Sequence, residues 1–390
     1  MELKFYNCPE PEEFKASIAT DAQPPFLSYT PDWKFIERIQ SECALYSDIV
    51  IVAHGGSINS FYGLYNALID ATTLRVHFLS TTDPDYIFQL KQKLSPEHTL
   101  VVAISKSGET VTQLEALMHF LQFKLMVNTS QDTPMYEIGL RMKAQMVPHP
   151  EIGGRYTGMT EVALLPAALC GFDVKEMYKG AQEYYQQFSQ NNLAWRAASI
   201  LWQLERDHNY FGVFMPFYSH YLFPFSQLIV QLCHESFGKG ELGQAYFAHE
   251  GPESQHHTTQ RFIGGRKNLI GFFIGQDAFD HDLATLIPPK IQSVHYKEQE
   301  LHLLNNIPLS KSLQFELEGT IEDARIKGIP LVHLNVHGRN FKEMGRFLAF
   351  WQLFAVYGSL LRGVNAFDQP QVESGKHISF NKRLEFKGLF

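Results

Sequence analysis

Val101-Val-Ala-Ile-Ser-Lys-Ser-Gly-Glu-Thr110 decides how this chain is read. An apolar run of strand character ends in three hydroxyls, one lysine and one glycine. Val111, Leu114, Leu117 and Met118 then recur at helical spacing. A strand ending where a helix begins brings backbone N–H groups without internal partners to one point, and the helix dipole favours negative charge there. Ser105, Ser107 and Thr110 add hydroxyl donors, Lys106 adds charge, and Gly108 lets the backbone approach closely. The expected ligand is a phosphate on a small molecule. Plain capped helix starts share this pattern, so the stretch alone leaves both readings open. It is not a G-x-x-x-x-G-K-[ST] loop, and G-x-G-x-x-G follows no strand.

The pattern on either side is an alternation of strand and helix. Asp48-Ile-Val-Ile-Val-Ala53 reads as a buried strand running into His54-Gly-Gly-Ser57, followed by a helix over about Ser60 to Asp70. Leu74 to Leu79 and Thr99 to Ile104 are further strands, with a helical stretch over 84–94 between them. A second round begins near residue 195 and continues through a strand at Tyr210 to Met215 and a helix over 221–237. It is completed by a strand at Asn268 to Ile274, a helix over 309–327, a strand at Pro330 to Val336 and a helix over 340–362. Such alternation predicts an α/β protein of two tandem units, each a parallel sheet flanked by helices in three layers. The expected boundaries are an N-terminal arm at 1–44, a first unit at 45–172, a helical connection at 173–194 and a second unit at 195–362. The remainder, 363–390, is expected to be helical first and then polar. Ligands of open parallel sheets sit beyond the carboxyl ends of the strands. His54-Gly-Gly-Ser57 and Ser105–Thr110 are therefore expected to face one crevice.

Composition narrows the class. The chain has 390 residues, 45% of them apolar, which supports a large core and argues against extended disorder. Net charge is −8 with both signs interspersed, and no basic stripe interleaved with aromatics marks a nucleic-acid surface. Cys8, Cys43, Cys170 and Cys233 stand far apart, without C-x-x-C, as expected of reduced thiols in the cytoplasm. Met1-Glu-Leu-Lys-Phe-Tyr6 lacks the basic and apolar regions of a secretory leader. The run Phe347 to Leu361 is too short to span a bilayer and reads as a buried helix.

Six segments, in order, resemble the glucose-6-phosphate isomerase (phosphoglucose isomerase) family, whose members carry two sugar-isomerase (SIS) domains. They are Gly55-Gly56-Ser57, Ser105-Lys-Ser-Gly-Glu-Thr110, Gly153-Gly154-Arg155-Tyr156-Thr157, Glu235-Ser-Phe-Gly-Lys239, Gln255-His256, and Gly363-Val-Asn-Ala-Phe-Asp-Gln-Pro-Gln-Val-Glu-Ser-Gly-Lys376. The likeness spans roughly 48–378. Departures are His54 where the family usually has isoleucine, an approach to His256 (Gly251-Pro-Glu-Ser-Gln-His256) without the glycine-rich run of many members, a second histidine at His257, and a chain short for the family.

The resemblance implies a cytoplasmic aldose–ketose isomerase interconverting glucose 6-phosphate and fructose 6-phosphate through a cis-enediolate, in glycolysis and gluconeogenesis. It implies Glu235 as the base that moves the proton between C2 and C1, with Gln231 one turn earlier on the same helix face. Arg155 would stabilise enediolate charge. His256 and Lys376 would open the ring. Gly56, Ser57, Ser105, Lys106, Ser107 and Thr110 would hold the substrate. No cofactor and no metal are expected, because side chains suffice for the proton transfers, and His249, His256 and His257 fit no standard zinc spacing. The expected partners are a hexose 6-phosphate and a second copy of the chain, with His256 donated across a homodimer interface; neither nucleic acid nor membrane is expected. Alternatives are an isomerase acting also or mainly on mannose 6-phosphate, and a non-catalytic sugar-phosphate sensor.

Overall fold

The computed structural model describes residues 1–14 and 23–389; the part of the proline-rich lead-in at 15–22 lies outside them. Strand β1 (Glu2–Tyr6) opens the chain and helix α1 (Trp33–Glu42) follows. The first sheet is then laid down by β2 (Asp48–Ala53), α2 (Gly56–Ala67), β3 (Arg75–Leu79), α3 (Pro84–Lys93), β4 (Thr99–Ser105), α4 (Val111–Met118), β5 (Lys124–Thr129), α5 (Pro134–Arg141) and β6 (Gln145–Pro148). Its order is β3-β2-β4-β5-β6, and every pair is parallel. β2 and β4 are buried at every position, which is why both read as continuous apolar runs in the sequence.

Three helices lead away from this sheet: α6 (Glu161–Leu169), α7 (Val174–Tyr185) and α8 (Leu193–His208). The second sheet is built by β7 (Gly212–Tyr218), α9 (Ser226–Phe237), β8 (Ala245–Glu250), the short helices α10 (Gly251–Ser254) and α11 (Thr258–Gly264), and β9 (Leu269–Gln276). A small ribbon of β10 (His295–Tyr296) and β11 (Gln299–Glu300) precedes α12 (Leu309–Ile326), β12 (Leu331–Val336) and α13 (Phe341–Arg362). The order is β1-β12-β9-β7-β8. The fold is thus α/β with two parallel sheets flanked by helices, and β1 joins the second sheet antiparallel, Glu2 facing Asn335 and Tyr6 facing Leu331.

One core runs between the sheets. It takes Ile49 and Ile51 from β2, Met215 and Phe217 from β7, and Phe347, Trp351 and Phe354 from α13. The outer face of the first sheet packs separately under α3, α4 and α5, and that of the second under α11 and α12. α13 is buried almost all round, as its sequence predicts; Asn340 caps its start by accepting from Glu343 N–H, and Gly363 ends it at φ 67°. No helix among the described residues is long and apolar enough to cross a membrane.

The structure corrects several local expectations. The strand predicted at Tyr210 to Met215 runs later, at Gly212–Tyr218. In 363–390 the order of helix and polar segment is reversed: Gly363 to Gln369 forms a loop, and helix α14 (Glu373–Phe386) follows. The chain cannot continue α13 past the left-handed Gly363, and Pro370 starts the turn that leads into α14.

Candidate active site

β2 and β4 are neighbours, Ala53 facing Ile104, so the glycine turn and the 105–110 loop leave the sheet side by side. Gln113, buried in the first turns of α4, donates from Nε2 to the carbonyls of both Val52 and Ile104 at 2.7 Å. That clamp fixes the helix start over the two strand ends. Gly108 lies at φ 60°, and a Cβ there would fall 2.3 Å from Thr133 Oγ1, so the loop's turn requires glycine. Ser105 Oγ accepts from Gly108 N–H at 3.1 Å, Ser107 Oγ from Glu109 N–H at 3.4 Å. Lys106 Nζ pairs with Glu151 at 3.0 Å. Thr110 precedes α4 without a capping bond from its own hydroxyl. The loop is therefore a self-supported turn that leaves the α4 start and the Thr110 hydroxyl available.

The second half of the constellation converges on Gly55 and Gly56. A Cβ at Gly56 would fall 2.1 Å from Arg155 N, so only glycine lets the first turn of α2 lie against the Gly154–Arg155 backbone. Arg155 is 3% exposed. Its Nη1 donates to Glu235 Oε2 at 3.1 Å and to Gln369 Oε1 at 2.8 Å. Its Nε donates to Ser236 Oγ at 2.9 Å. Its Nη2 donates to the carbonyls of Ala366, Asp368 and Glu235 at 2.6, 3.0 and 3.3 Å. The other oxygen of Glu235 accepts from Gln231 Nε2 at 3.1 Å, and Gln231 Oε1 accepts from Asn59 at 2.9 Å. Glu235 is thus held from both sides at the end of α9, with its carboxylate 30% exposed.

The structure therefore brings together Gly56, Arg155, Gln231 and Glu235. Ser57 follows on the first turn of α2, and the Ser105–Thr110 loop lies one strand away. Gln369, Asn59 and Gln113 join this set without a signal in the sequence pattern; Gln369 lies inside the quoted 363–376 segment, but only the folded chain shows that it meets Arg155. Lys239 Nζ donates to the Asp368 carbonyl at 2.6 Å, which holds the same loop from the other side.

Two predicted residues lie apart from this cluster. His256 is exposed after α10, and the preceding Gln255 turns inward to Tyr218 and Thr320. Lys376 is exposed on α14 and pairs with Glu373 at 2.7 Å. α14 has no buried residue, and Arg383 ties it to Glu115 on α4. His249 and His257 meet edge to face at 4.8 Å between ring centroids.

The model of the family described as phosphoglucose isomerase matches residues 34–262, more than half of the chain. The chain belongs to the phosphoglucose isomerase family. A glucose-6-phosphate isomerase of Thermus thermophilus is 30% identical over 86% of this chain and 83% of its own length. A probable glucose-6-phosphate isomerase of Methanococcus maripaludis is 25% identical over 86% of this chain and 78% of its own. Among solved structures, a hypothetical protein from Thermus thermophilus superposes with a TM-score of 0.82 at 25% identity, covering 94% of this chain and 92% of the other. The family model covers the glycine turn, the 105–110 loop, Arg155, Glu235 and His256. The segment that supplies Gln369 and Lys376 lies outside it.

Proposed function

We propose that this chain is an aldose–ketose isomerase that interconverts glucose 6-phosphate and fructose 6-phosphate in the cytoplasm, as a homodimer. The observation that carries the reading is the Gln231–Glu235–Arg155–Gln369 network beside the Ser105–Thr110 loop. A carboxylate fixed on both oxygens, next to a buried guanidinium, suits a proton shuttle between adjacent carbons. Glu235 removes the C2 proton of the open-chain sugar and returns it to C1, while the Arg155 charge offsets that of the enediolate. The phosphate is held by the α4 start, Ser105, Ser107, Thr110 and Lys106, with Gly56 and Ser57 along the sugar. Ring opening falls to His256 and Lys376. His256 is exposed on its own subunit, which fits donation to the site of a second copy. Lys376, exposed on α14 and paired with Glu373, is the second ring-opening group.

A coupled assay on glucose 6-phosphate, fructose 6-phosphate and mannose 6-phosphate tests this reading. Turnover of the first two with little on the third supports it. Mannose 6-phosphate turnover alone moves the assignment to the alternative isomerase, and binding of all three without turnover makes the chain a sensor.

A further inference from the structure

His54 links the glycine turn after β2 to the first turn of α4. It follows β2 directly, one residue beyond the last ladder pair, Ala53 with Ile104, and Ser105 follows Ile104 in the same way at the end of β4. Its Nε2 lies 3.0 Å from Thr112 Oγ1. Thr112 is the second residue of α4, so its backbone N–H is among those left without an internal partner at the helix start. A half-buried imidazole thus bridges the glycine turn to the turn of helix that faces the phosphate.

We propose that His54 is a proton-linked positioning residue of the phosphate site, taking up a proton from solution as a sugar-phosphate dianion enters the Ser105–Thr110 loop. This rests on the phosphate reading of that loop. The His54–Thr112 bond can run in two directions. A neutral Nε2 accepts from the Thr112 hydroxyl; a protonated one donates to Thr112 Oγ1 and turns the hydroxyl hydrogen elsewhere. Protonation therefore reverses the bond and places a cation beside the first turn of α4.

The surrounding electrostatics oppose that cation before the dianion enters and favour it afterwards. Burial holds the imidazole below its ordinary value, and the positive end of the α4 dipole acts in the same direction. A dianion at the same helix start reverses the balance, and an opposite charge within a few ångströms raises such a group by about one unit or more. The charged groups on the elements around His54 are mostly engaged elsewhere. Lys106 pairs with Glu151, Glu115 with Arg383, Arg155 with Glu235, and Asp48, at the far end of β2, with Arg75. Glu109 is exposed to solvent. The incoming phosphate is the dominant change in charge at this imidazole.

The test uses the full-length chain and glucitol 6-phosphate, which keeps the phosphate and hydroxyls but has no carbonyl to isomerise. Titration calorimetry in buffers of different ionisation enthalpy gives the protons exchanged on binding. For a one-unit shift the wild type is expected to take up about half a proton more than His54→Gln, which keeps a hydrogen-bonding side chain but does not titrate, at the pH midway between the free-state and bound-state values. The ligand's own titration is common to both proteins and cancels in the difference. A raised bound-state value stabilises the complex at low pH, and the effect is lost as pH rises through that value. The affinity advantage of the wild type therefore grows as pH falls, reaches about tenfold for a one-unit shift below the free-state value, and is lost as pH rises through the bound-state value. Thr112→Val, which deletes the hydroxyl and keeps the shape, should reduce the proton uptake, so a poorly folded His54→Gln leaves the test intact. Equal proton uptake in wild type and variants, or an affinity ratio independent of pH, overturns the proposal while leaving the phosphate site standing. Absence of binding by the wild type overturns both.

Discussion

Replacing Arg155 by lysine tests the centre of the site while keeping the charge. The five N–H groups of the guanidinium reach six acceptors: two from Nη1, one from Nε and three from Nη2, where one N–H is shared. An ammonium has three donors on a single atom and cannot span Ser236, Glu235 and the 366–369 loop together. At least three bonds are lost, each worth about 1.5 kcal/mol when one partner is charged and the loop side can rehydrate, for a total of about 4.5 kcal/mol. Urea unfolding followed by fluorescence should show a loss of that size, read as a lower midpoint with an unchanged slope. Hydrogen exchange at 363–370 should accelerate more than exchange in β2 and β4, because the loop loses its anchor and the sheet does not. Turnover should fall by roughly 10²- to 10³-fold, the usual cost of misplacing a charge-stabilising donor. Stability within about 1 kcal/mol of wild type, together with turnover within about fivefold, would refute the assignment of Arg155 as the group that joins base, loop and substrate.

Other expectations follow from the same geometry. Glu235→Gln keeps the shape and the contact with Gln231 but cannot accept a carbon-bound proton, so kcat should drop by several orders of magnitude, and the melting temperature should fall as well because the ion pair with buried Arg155 is lost; near-normal turnover would move the base elsewhere. Thr110→Ala should act mainly on KM for the phosphorylated sugar, and an unchanged KM would remove it from the phosphate site. Mixing His256→Ala with Glu235→Gln protein under subunit exchange should restore part of the activity, since one site of each mixed dimer is complete; exchange without recovery means that each chain completes its own site. At the other end of β2, burial pushes Asp48 up, but hydrogen bonds from Arg75, His77 and Ser47 outweigh it and hold the carboxyl down at about 2. A depressed carboxyl stabilises the fold above its unfolded value and loses that effect as pH falls toward 2. Asp48→Asn should therefore flatten the decline in stability between about pH 4 and 2 relative to wild type, and parallel curves would count against this pair.

The strands legible in the sequence are mostly those buried on both faces, the partly exposed edge strand β3 being an exception. β2, β4, β9 and β12 read as apolar runs because a parallel sheet between helix layers needs them so. β6 and β8, partly exposed and of mixed composition, are not legible. β5 carries only Leu125, Met126 and Val127 as an apolar run between polar ends. The site is legible where its chemistry lies in consecutive residues, as in the 105–110 loop and the Glu235 segment. Gln369, Gln113 and His54 act through partners 214, 61 and 58 positions away, and no local pattern encodes such pairs.

The antiparallel strand β1 has a consequence for how the chain is made. Residues 2–6 find their partner only when 331–336 have been synthesised. Until then Leu3 and Phe5 have no sheet to join, although the first sheet, built wholly from residues 48–148, can form much earlier. Closing a loop of some three hundred residues is slow and entropically expensive in an open chain. It becomes far cheaper once the first sheet and the helices between have already compacted the intervening chain. The order of synthesis thus favours assembly from the inside outward, with residues 2–6 among the last to be fastened. When they are, they cover the free edge of β12, the place where an unfinished second sheet would otherwise recruit a strand from another molecule.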